Sequence, residues 1–434
     1  MASARPVRVL IVDDSAVMRG LLRSVVISDN RLEVAGTAAD GASALRAMDS
    51  IRPDLVLLDV EMPVMDGLST LKQMKAKGQR LPVIMCSALT QHGATVTIEA
   101  LACGASDYVA KPSGQANKEA SMRALAQDLI PKILALTAYA TSSHDHAQVH
   151  TSAFPAMPFQ AMPLHNSAFP GIPATNSGSA WPSHSGASSS AIGGAPNSLP
   201  IHLPAGYAPA SQTSPHLHQL PASTSPPAVV LIGVSTGGPA ALDHLLPDLP
   251  ANFPSPILIV QHMPELFTRL LAERLNTRCP LRVCEATQGE PIRPGVIYIA
   301  RGDWHMEVSS PDRPAGSVPA PVLRLTQEAP ENHCRPAVDV LFRTAAAVYS
   351  SRVLAIVLTG MGYDGLAGSR ILREHGATIF AQDQATSAVW GMPGAVAQAG
   401  LAHRVLPLNT IAPEILRLSG RGQREAFVLR ESAV

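Results

Sequence analysis

The 434-residue chain has little of what marks several large classes of proteins. Its formal net charge is zero, which argues against nucleic acid as a partner. No apolar run reaches the roughly 18 residues that would span a membrane, so we expect no membrane insertion. A charged pair directly after the first short apolar run does not fit a secretory signal. The five cysteines form no C-x-x-C pair, which favours reduced thiols in a cytoplasmic protein over a disulfide framework or a zinc site.

A segment with almost no charged residues divides the chain in two. Residues 138–227 contain no Lys or Arg and a single acid, Asp145, while Pro, Ser, Ala and His dominate. Such a segment lacks the periodic apolar residues that would offset the entropy of an ordered chain. Its eight histidines are too loosely spaced to favour a metal site. We interpret it as a long disordered linker.

Apolar runs typical of buried parallel strands alternate with helical segments on both sides of this linker. The pattern predicts an α/β protein with two doubly wound parallel-sheet domains, one over residues 6–125, with a last helix extending to about 137, and one over 228–420. Ligand sites in such sheets lie at the carboxyl ends of the strands. The strands of the second domain are predicted at AVVLIGVS, PILIVQH, RVLAIVLTG and ATIFAQD.

Polar residues follow four predicted strands of the first domain. Asp13 and Asp14 end the first strand, Asp59 the third and Ser87 the fourth, and Lys111 follows the fifth. Clustered carboxylates need a cation, and oxygen ligands suit Mg²⁺. A carboxylate held in this way can attack phosphorus, and a lysine and a hydroxyl can bind the new phosphoryl oxygens. Helix capping alone would explain any one of these residues, but it explains the five together poorly.

The phrases VDDS, LLDVEMPVMDG, CSA and YVAKP make this domain resemble the flavodoxin-like receiver of response regulators. The resemblance implies that Asp59 is the phosphoacceptor. It implies that Mg²⁺ is bound by Asp14 directly, by Asp13 through water and by the carbonyl of Glu61. It also implies a set of switch and phosphate-binding residues, namely Ser87, Tyr108 and Lys111.

Three motifs of the second domain carry candidate catalytic residues. Ser235 lies in GVSTGGP, after a strand and before a helix whose N–H groups can stabilise an oxyanion. This string fits the nucleophile elbow G-x-S-x-G, although a glycine turn with a capping serine would look the same. His262, in QHMP, ends the neighbouring strand and is a candidate general base. Asp364, in TGMGYDG, is placed to orient the imidazole.

Two other interpretations compete for these motifs. G-M-G-Y-D-G also matches the dinucleotide-binding G-x-G-x-x-G, with Asp383 as the ribose-binding acid, but Asp364 would put a negative charge where the pyrophosphate lies. An ordinary α/β-hydrolase would need a histidine after the acid, and His375 and His403 lie in no motif. An NAD(P)-dependent oxidoreductase and a non-catalytic output module therefore remain as alternatives. NADH binding tests the first, and fluorophosphonate labelling of Ser235 tests the second.

Together with HCRPAVDVLF and WGMPGAV, the three motifs resemble the Rossmann-like catalytic domain of the protein-glutamate methylesterases of bacterial chemotaxis, the CheB family. The resemblance implies hydrolysis of glutamyl methyl esters on methylated chemoreceptors, with release of methanol, and deamidation of receptor glutamines. It also implies activation by phosphorylation, with a histidine kinase of the chemotaxis type as phosphodonor.

The same resemblance assigns roles to the three motif residues. Ser235 is the implied nucleophile, His262 the general acid and base, and Asp364 the orienting acid. We predict the backbone N–H groups of Thr236 and Met361 as the oxyanion hole. Ester hydrolysis is expected to need no metal or cofactor, so Mg²⁺ belongs to the receiver alone.

Overall fold

The computed structural model describes residues 5–88, 90–112, 118–144, 226–310 and 320–420. Most of the predicted linker, 138–227, lies outside these residues. The described parts on either side of it belong to one compact unit. Among the helices of the described residues, none combines the length and the apolar character needed to cross a membrane.

The first domain alternates strands and helices, as predicted. Within the described residues its strands form one parallel sheet in the order β2-β1-β3-β4-β5, the flavodoxin-like order. The elements are β1 (Val7–Val12), α1 (Ala16–Ile27), β2 (Leu32–Ala38), α2 (Gly41–Ile51), β3 (Leu55–Asp59), α3 (Gly67–Ala76), β4 (Val83–Ser87), α4 (Gln91–Ala102), β5 (Asp107–Ala110) and α5 (Lys118–His144).

Burial and capping explain this alternation. Every residue of β3 and β4 is buried, because helices cover both faces of the sheet. Asp40 and Asp66 accept hydrogen bonds from the first turns of α2 and α3 and so fix where these helices begin. The last helix has the predicted buried stripe but continues to His144, because no Gly or Pro interrupts it after Pro131. The stripe is Leu125, Leu129, Ile133 and Leu136.

The second domain is also doubly wound. Its strands form a parallel sheet in the order β14-β13-β12-β6-β7-β9-β8, and β10 and β11 form a separate antiparallel pair, within the described residues. The elements are β6 (Val229–Val234), α6 (Gly238–Leu245), β7 (Ile257–Gln261), α7 (Glu265–Arg278), β8 (Arg282–Glu285), β9 (Val296–Ile299), β10 (His305–Ser309), β11 (Val322–Thr326), α8 (Val338–Tyr349), β12 (Val353–Val357), α9 (Leu366–Glu374), β13 (Thr378–Gln382), α10 (Met392–Gln398), β14 (Arg404–Leu406) and α11 (Leu408–Leu418).

The strand order of the second domain creates a site at its centre. The chain leaves β6 toward β7 on one side and later returns to β6 with β12 on the other side. Such a reversal opens a crevice at the carboxyl ends of the strands. The three motif residues follow these strands: Ser235 follows β6, His262 follows β7, and Asp364 lies in the turn after β12.

Candidate active site and phosphorylation pocket

The turn that carries Ser235 is held on both sides by hydrogen bonds. The Ser235 N–H donates to the Thr359 carbonyl at 3.0 Å. The Ser235 carbonyl accepts from the Gly238 N–H at 2.7 Å and from Gln261 Nε2 at 3.0 Å. The Thr359 hydroxyl donates to the Thr236 carbonyl at 2.9 Å. The turn between β6 and α6 is therefore fixed by the ends of β7 and β12.

The two glycines after Thr236 are required by this geometry. Gly237 has φ +78°, a left-handed conformation that side chains with a Cβ rarely adopt. A Cβ on Gly238 would lie 1.9 Å from Gln261 Oε1. The close approach of the turn to β7 therefore needs both glycines of the motif.

His262 and Asp364 are directly joined. His262 Nε2 lies 2.8 Å from Asp364 Oδ2, and the two side chains are only 12% and 3% exposed. The carboxylate also accepts from the first N–H groups of α8, with Val338 at 2.6 Å and Asp339 at 3.0 Å. A helix N-terminus favours negative charge, so Asp364 is held as an ionised group that orients the imidazole.

In the first domain, the predicted acidic residues also lie close together. Asp13, Asp14 and Asp59 each offer a carboxylate oxygen, and these oxygens lie within 4.8 Å of one another. Lys111 Nζ bridges two of them, at 2.8 Å from Asp13 Oδ2 and 2.6 Å from Asp59 Oδ1. An open cavity of about 560 Å³, lined in part by Glu61, lies over this cluster. Three close carboxylates beside a cavity fit a hard divalent cation such as Mg²⁺.

Comparison with known proteins identifies both domains. The response regulator receiver domain model matches residues 9–123, and the CheB methylesterase model matches residues 230–415. A protein-glutamate methylesterase/protein-glutamine glutaminase of a Nocardioides species is 42% identical, over 97% of this chain and 98% of the relative. The chain belongs to the CheB methylesterase family. A relative of the same name from Trichodesmium erythraeum is 40% identical over 95% of this chain and 99% of its own length.

A solved structure also matches the second domain. The crystal structure of the Thermotoga maritima CheB methylesterase catalytic domain covers 44% of this chain and 98% of its own, with 42% sequence identity and a TM-score of 0.42. We call residues 228–420 the methylesterase domain and residues 6–125 the receiver below, with the boundaries that the sequence predicts.

Neighbouring groups in the methylesterase domain shift the pKa values of both His262 and Asp364. Burial opposes ionisation of Asp364, but hydrogen bonds from His262 and from the N–H groups of Val338 and Asp339 outweigh it and lower the pKa of the carboxyl. Burial also opposes protonation of His262, but its contacts with Asp364 and Cys334 outweigh this and raise the pKa of the imidazole to about 9. Both shifts stabilise the charged forms of the pair in the resting structure, because each charge offsets the burial of the other.

The second ring nitrogen of His262 faces a cysteine. Cys334 Sγ lies 3.6 Å from His262 Nδ1. Among the described residues, Ser235 Oγ makes no hydrogen bond with His262. Because Asp364 occupies Nε2, Nδ1 is the ring nitrogen that stays available to Ser235 in the predicted triad. Catalytic hydrogen bonds often tighten only when substrate binds.

Three residues of this site were missed by the sequence argument: Asn332, Cys334 and Asp339. Asn332 Nδ2 donates to Asp364 Oδ1 at 3.0 Å and to Asp339 Oδ2 at 2.9 Å, and so bridges the two carboxylates. Burial raises the pKa of Asp339 to about 6. Cys334 and Asp339 lie in HCRPAVDVLF, which was noticed only as a matching stretch. Asn332 and Cys334 lie in the loop before α8, and Asp339 lies in the first turn of that helix. The signal that could have identified them is this helix N-terminus, which binds the Asp364 carboxylate.

The predicted oxyanion donors lie in suitable turns. Of the described residues, none accepts a hydrogen bond from the backbone N–H of Thr236 or Met361. Each of these two N–H groups is therefore a donor without an acceptor among the described residues, and both lie close to the Ser235 turn. Their role stays a prediction.

The residues that the two alternative interpretations require form other hydrogen bonds. His375 Nδ1 lies 2.9 Å from the carbonyl of Ile371 in its own helix. His403 Nδ1 accepts from the Ile379 N–H. Asp383 accepts from the N–H and the hydroxyl of Thr386. The two histidines contact backbone groups and Asp383 contacts a nearby threonine, so these hydrogen bonds do not support the other hydrolase order or the dinucleotide site.

The receiver touches the methylesterase domain beside Ser235. The Thr236 hydroxyl donates to Asp107 Oδ2 at 2.6 Å, a buried hydrogen bond between the domains. The rings of Tyr108 and Phe267 stack with centroids 4.5 Å apart, so the predicted switch aromatic packs on α7. Ser87, the other switch residue, is buried and donates to the carbonyl of Ala88. The end of the receiver that carries β5 thus lies against the edge of the sheet that carries the Ser235 turn.

Proposed function

We propose that Ser235, His262 and Asp364 catalyse the hydrolysis that this protein performs as a member of the CheB methylesterase family. Its substrates are glutamyl γ-methyl esters of methylated chemoreceptors, which yield glutamate and methanol, and receptor glutamines, which yield glutamate and ammonia. The observation that carries the assignment is the buried bond between His262 Nε2 and Asp364 Oδ2 at 2.8 Å, at the sheet edge that holds the Ser235 turn.

The geometry supports a two-step acyl transfer. Ser235 Oγ attacks the ester carbonyl while His262 Nδ1 takes the hydroxyl proton, and Asp364 holds the Nε2–H side of the ring. The N–H groups of Thr236 and Met361 stabilise the oxyanion. His262 then returns the proton to the departing methanol. Water attacks the acyl enzyme by the same route and releases the glutamate. Deamidation differs only in its leaving group, ammonia.

Phosphorylation of Asp59 is the proposed control. Asp13, Asp14, Asp59 and the Glu61 carbonyl would hold Mg²⁺, which when bound neutralises the carboxylates and the phosphoryl oxygens. Burial, together with the charge of Asp13, raises the pKa of Asp59 to about 6 against the opposing effect of Lys111. At neutral pH the carboxylate is therefore largely ionised and able to attack phosphorus. A histidine kinase of the chemotaxis type is the proposed phosphodonor.

The resting contact between the domains supports inhibition by the receiver. Asp107 bonds the hydroxyl of the residue next to Ser235, and Tyr108 is stacked on Phe267. A phosphoryl group on Asp59 would add charge beside Lys111 and bias Tyr108. Since Tyr108 packs on α7, its movement would loosen the receiver from the site. The proposed organisation is a receiver over residues 6–125, with a final helix, a linker over 138–227 and a methylesterase domain over 228–420, acting in the cytoplasm.

Substitution of the triad tests the chemistry. Ser235→Ala, His262→Ala and Asp364→Ala should each nearly abolish methanol release from methylated receptors while thermal unfolding shows a folded protein. Because Ser235 and His262 act as a unit, the double variant should be little worse than either single one. Full activity of Ser235→Ala would exclude the serine mechanism.

Two rate comparisons test the control. A fragment of residues 228–434 should hydrolyse faster than unphosphorylated full-length protein. Mg²⁺ with a small phosphodonor should activate the full-length protein but not Asp59→Asn. Equal rates for the fragment and the resting protein would show that the receiver does not block the site.

A further inference from the structure

The methylesterase site contains a pair of metal ligands that ester hydrolysis does not use together. Cys334 Sγ lies 3.6 Å from His262 Nδ1. Tetrahedral Zn²⁺, with Zn–S of about 2.3 Å and Zn–N of about 2.0–2.1 Å, places two such ligands about 3.6 Å apart. The two atoms are therefore already at the separation that one zinc ion requires.

Asp364 gives the imidazole the orientation found in metal sites. Its Oδ2 lies 2.8 Å from His262 Nε2, on the far side of the ring from Cys334. A metal ion that binds Nδ1 displaces its proton, and the carboxylate at Nε2 fixes the tautomer in which Nδ1 presents its lone pair to the ion. Histidine ligands of zinc generally have such a partner. Ligand atoms of His262, Cys334 and Asp364 all lie within 4.8 Å of one another.

The pair is accessible and selective. Cys334 is half-buried and the His262 side chain is 12% exposed, so neither side chain is fully enclosed. A thiolate with an imidazole favours zinc, whereas Mg²⁺ prefers the oxygen ligands of the receiver. The two kinds of ion are thus sorted between the two domains by ligand chemistry.

We propose that Cys334 and His262 form an inhibitory site for Zn²⁺ within the methylesterase domain, with Asp364 orienting the histidine and water completing the coordination. The inference rests on the proposed function in one respect only, that Nδ1 is the nitrogen that serves Ser235. An ion on Nδ1 removes the lone pair that accepts the proton of Ser235, so hydrolysis stops while zinc is bound.

The test compares Cys334→Ser with a matched variant, Cys284→Ser, in full-length protein. Cys284 is another half-buried free cysteine of the same domain. Protein is prepared free of metal, in a phosphine reductant and without Mg²⁺, and methanol release is measured against Zn²⁺ relative to the zinc-free rate of each variant. Wild type and Cys284→Ser should be inhibited alike and recover with EDTA, and Cys334→Ser should need at least about tenfold more zinc. The histidines of residues 138–227 are present in all three proteins, so they do not affect the comparison.

A spectroscopic measurement tests metal binding at this site independently of esterase activity. Co²⁺ should give thiolate-to-cobalt charge-transfer absorption in wild type and Cys284→Ser, and this absorption should be absent in Cys334→Ser. Equal zinc sensitivity of the two variants, or no difference in the cobalt spectrum, would overturn the proposal. Cobalt absorption that depends on Cys334 in a protein without esterase activity would instead sustain the metal site and reject the proposed function.

Discussion

Asp59 of the receiver and Asp364 of the methylesterase domain are both buried, and both lie at the carboxyl edge of a parallel sheet, but their pKa values shift in opposite directions. Asp59 has Lys111 at 2.6 Å, a long contact of 3.5 Å from the Glu61 N–H, and the repelling charge of Asp13. Burial therefore prevails and raises its pKa to about 6.

Asp364 has many more donors. Five nitrogens of the described residues lie within hydrogen-bond distance of its carboxylate, namely His262 Nε2, Asn332 Nδ2 and the backbone nitrogens of Val338, Asp339 and Gly365. Burial raises the pKa of a carboxyl group unless enough donors face its charge. The few donors around Asp59 suit its proposed role of binding a cation and attacking phosphorus. The many donors around Asp364 suit its proposed role of staying ionised while it orients His262.

The largest effect should come from removing the charge of Asp364. Asp364→Asn keeps the shape, but the amide cannot hold the imidazole in the required tautomer, so we expect kcat to fall on the order of 10⁴-fold. Methanol release measures this. Asp248→Asn, at an exposed aspartate of the same domain, is the control and should change little. A fall of less than tenfold for Asp364→Asn would mean that the donors around Asp364 serve only the fold.

A smaller effect is expected when Asp364 loses one of its hydrogen-bond donors, so that its surroundings resemble those of Asp59. Asn332→Ala removes the amide that bridges Asp364 and Asp339, so the two carboxylates repel and the pKa of Asp364 should rise. We expect kcat to fall about tenfold, equivalent to about 1.4 kcal/mol. The rate and the pH profile report this. Asn409→Ala, on the exposed face of α11, is the control. An unchanged rate would show that the other donors suffice.

The contact between the two regions can be broken from the receiver side. Asp107→Ala removes the acceptor of the Thr236 hydroxyl, and a buried hydrogen bond contributes about 1 kcal/mol, so hydrolysis by resting protein should rise about fivefold. Asp128→Ala is the matched control, because Lys132 Nζ lies 3.9 Å from Asp107 Oδ1 and 2.8 Å from Asp128 Oδ1, and Asp128 has no hydrogen bond to Thr236. A resting rate that rises equally in both variants would assign the effect to Lys132.

The smallest effect concerns the pH profile. The base form of His262 increases as pH rises through its pKa of about 9, so hydrolysis in the presence of a chelator should increase over that range. The contact with Cys334 helps raise this pKa, and Cys334→Ala should therefore move the rise to lower pH. Cys284→Ala should leave it in place. A rise at the same pH in both variants would show that Asp364 alone sets the protonation of His262.

Much of the fold and of the candidate sites could be predicted from residue patterns. Polar residues that end apolar strands identify both sites, because parallel strands bring their carboxyl ends to one edge. The glycines after Ser235 indicate a tight turn, and the structure shows that Gly238 has no room for a side chain. The buried stripe of α5 follows from helical periodicity. These inferences succeed because they depend on neighbours in sequence or on one rule of sheet geometry.

Asn332, Cys334 and Asp339 could not be found in this way. They lie about 70 residues after His262 and about 30 before Asp364, and only the packing of α8 against the turn after β12 brings them to the pair. The spacing of the cysteines argues against a zinc site, whereas the proposed ligands, Cys334 and His262, are neighbours in space alone. The hydrogen bond between Thr236 and Asp107 joins two domains across the whole linker.

By itself, the sequence determined the two sheets, the strand ends that carry chemistry and the family. Hydrophobic periodicity and turn residues act locally, so they can be recognised without coordinates. The tertiary structure alone decided the pKa shifts of Asp59 and Asp364, the position of Cys334 beside His262 and the contact of the receiver with the Ser235 turn. The physical reason is that a buried charge depends on the donors that surround it in space, and those donors come from elements far apart along the chain.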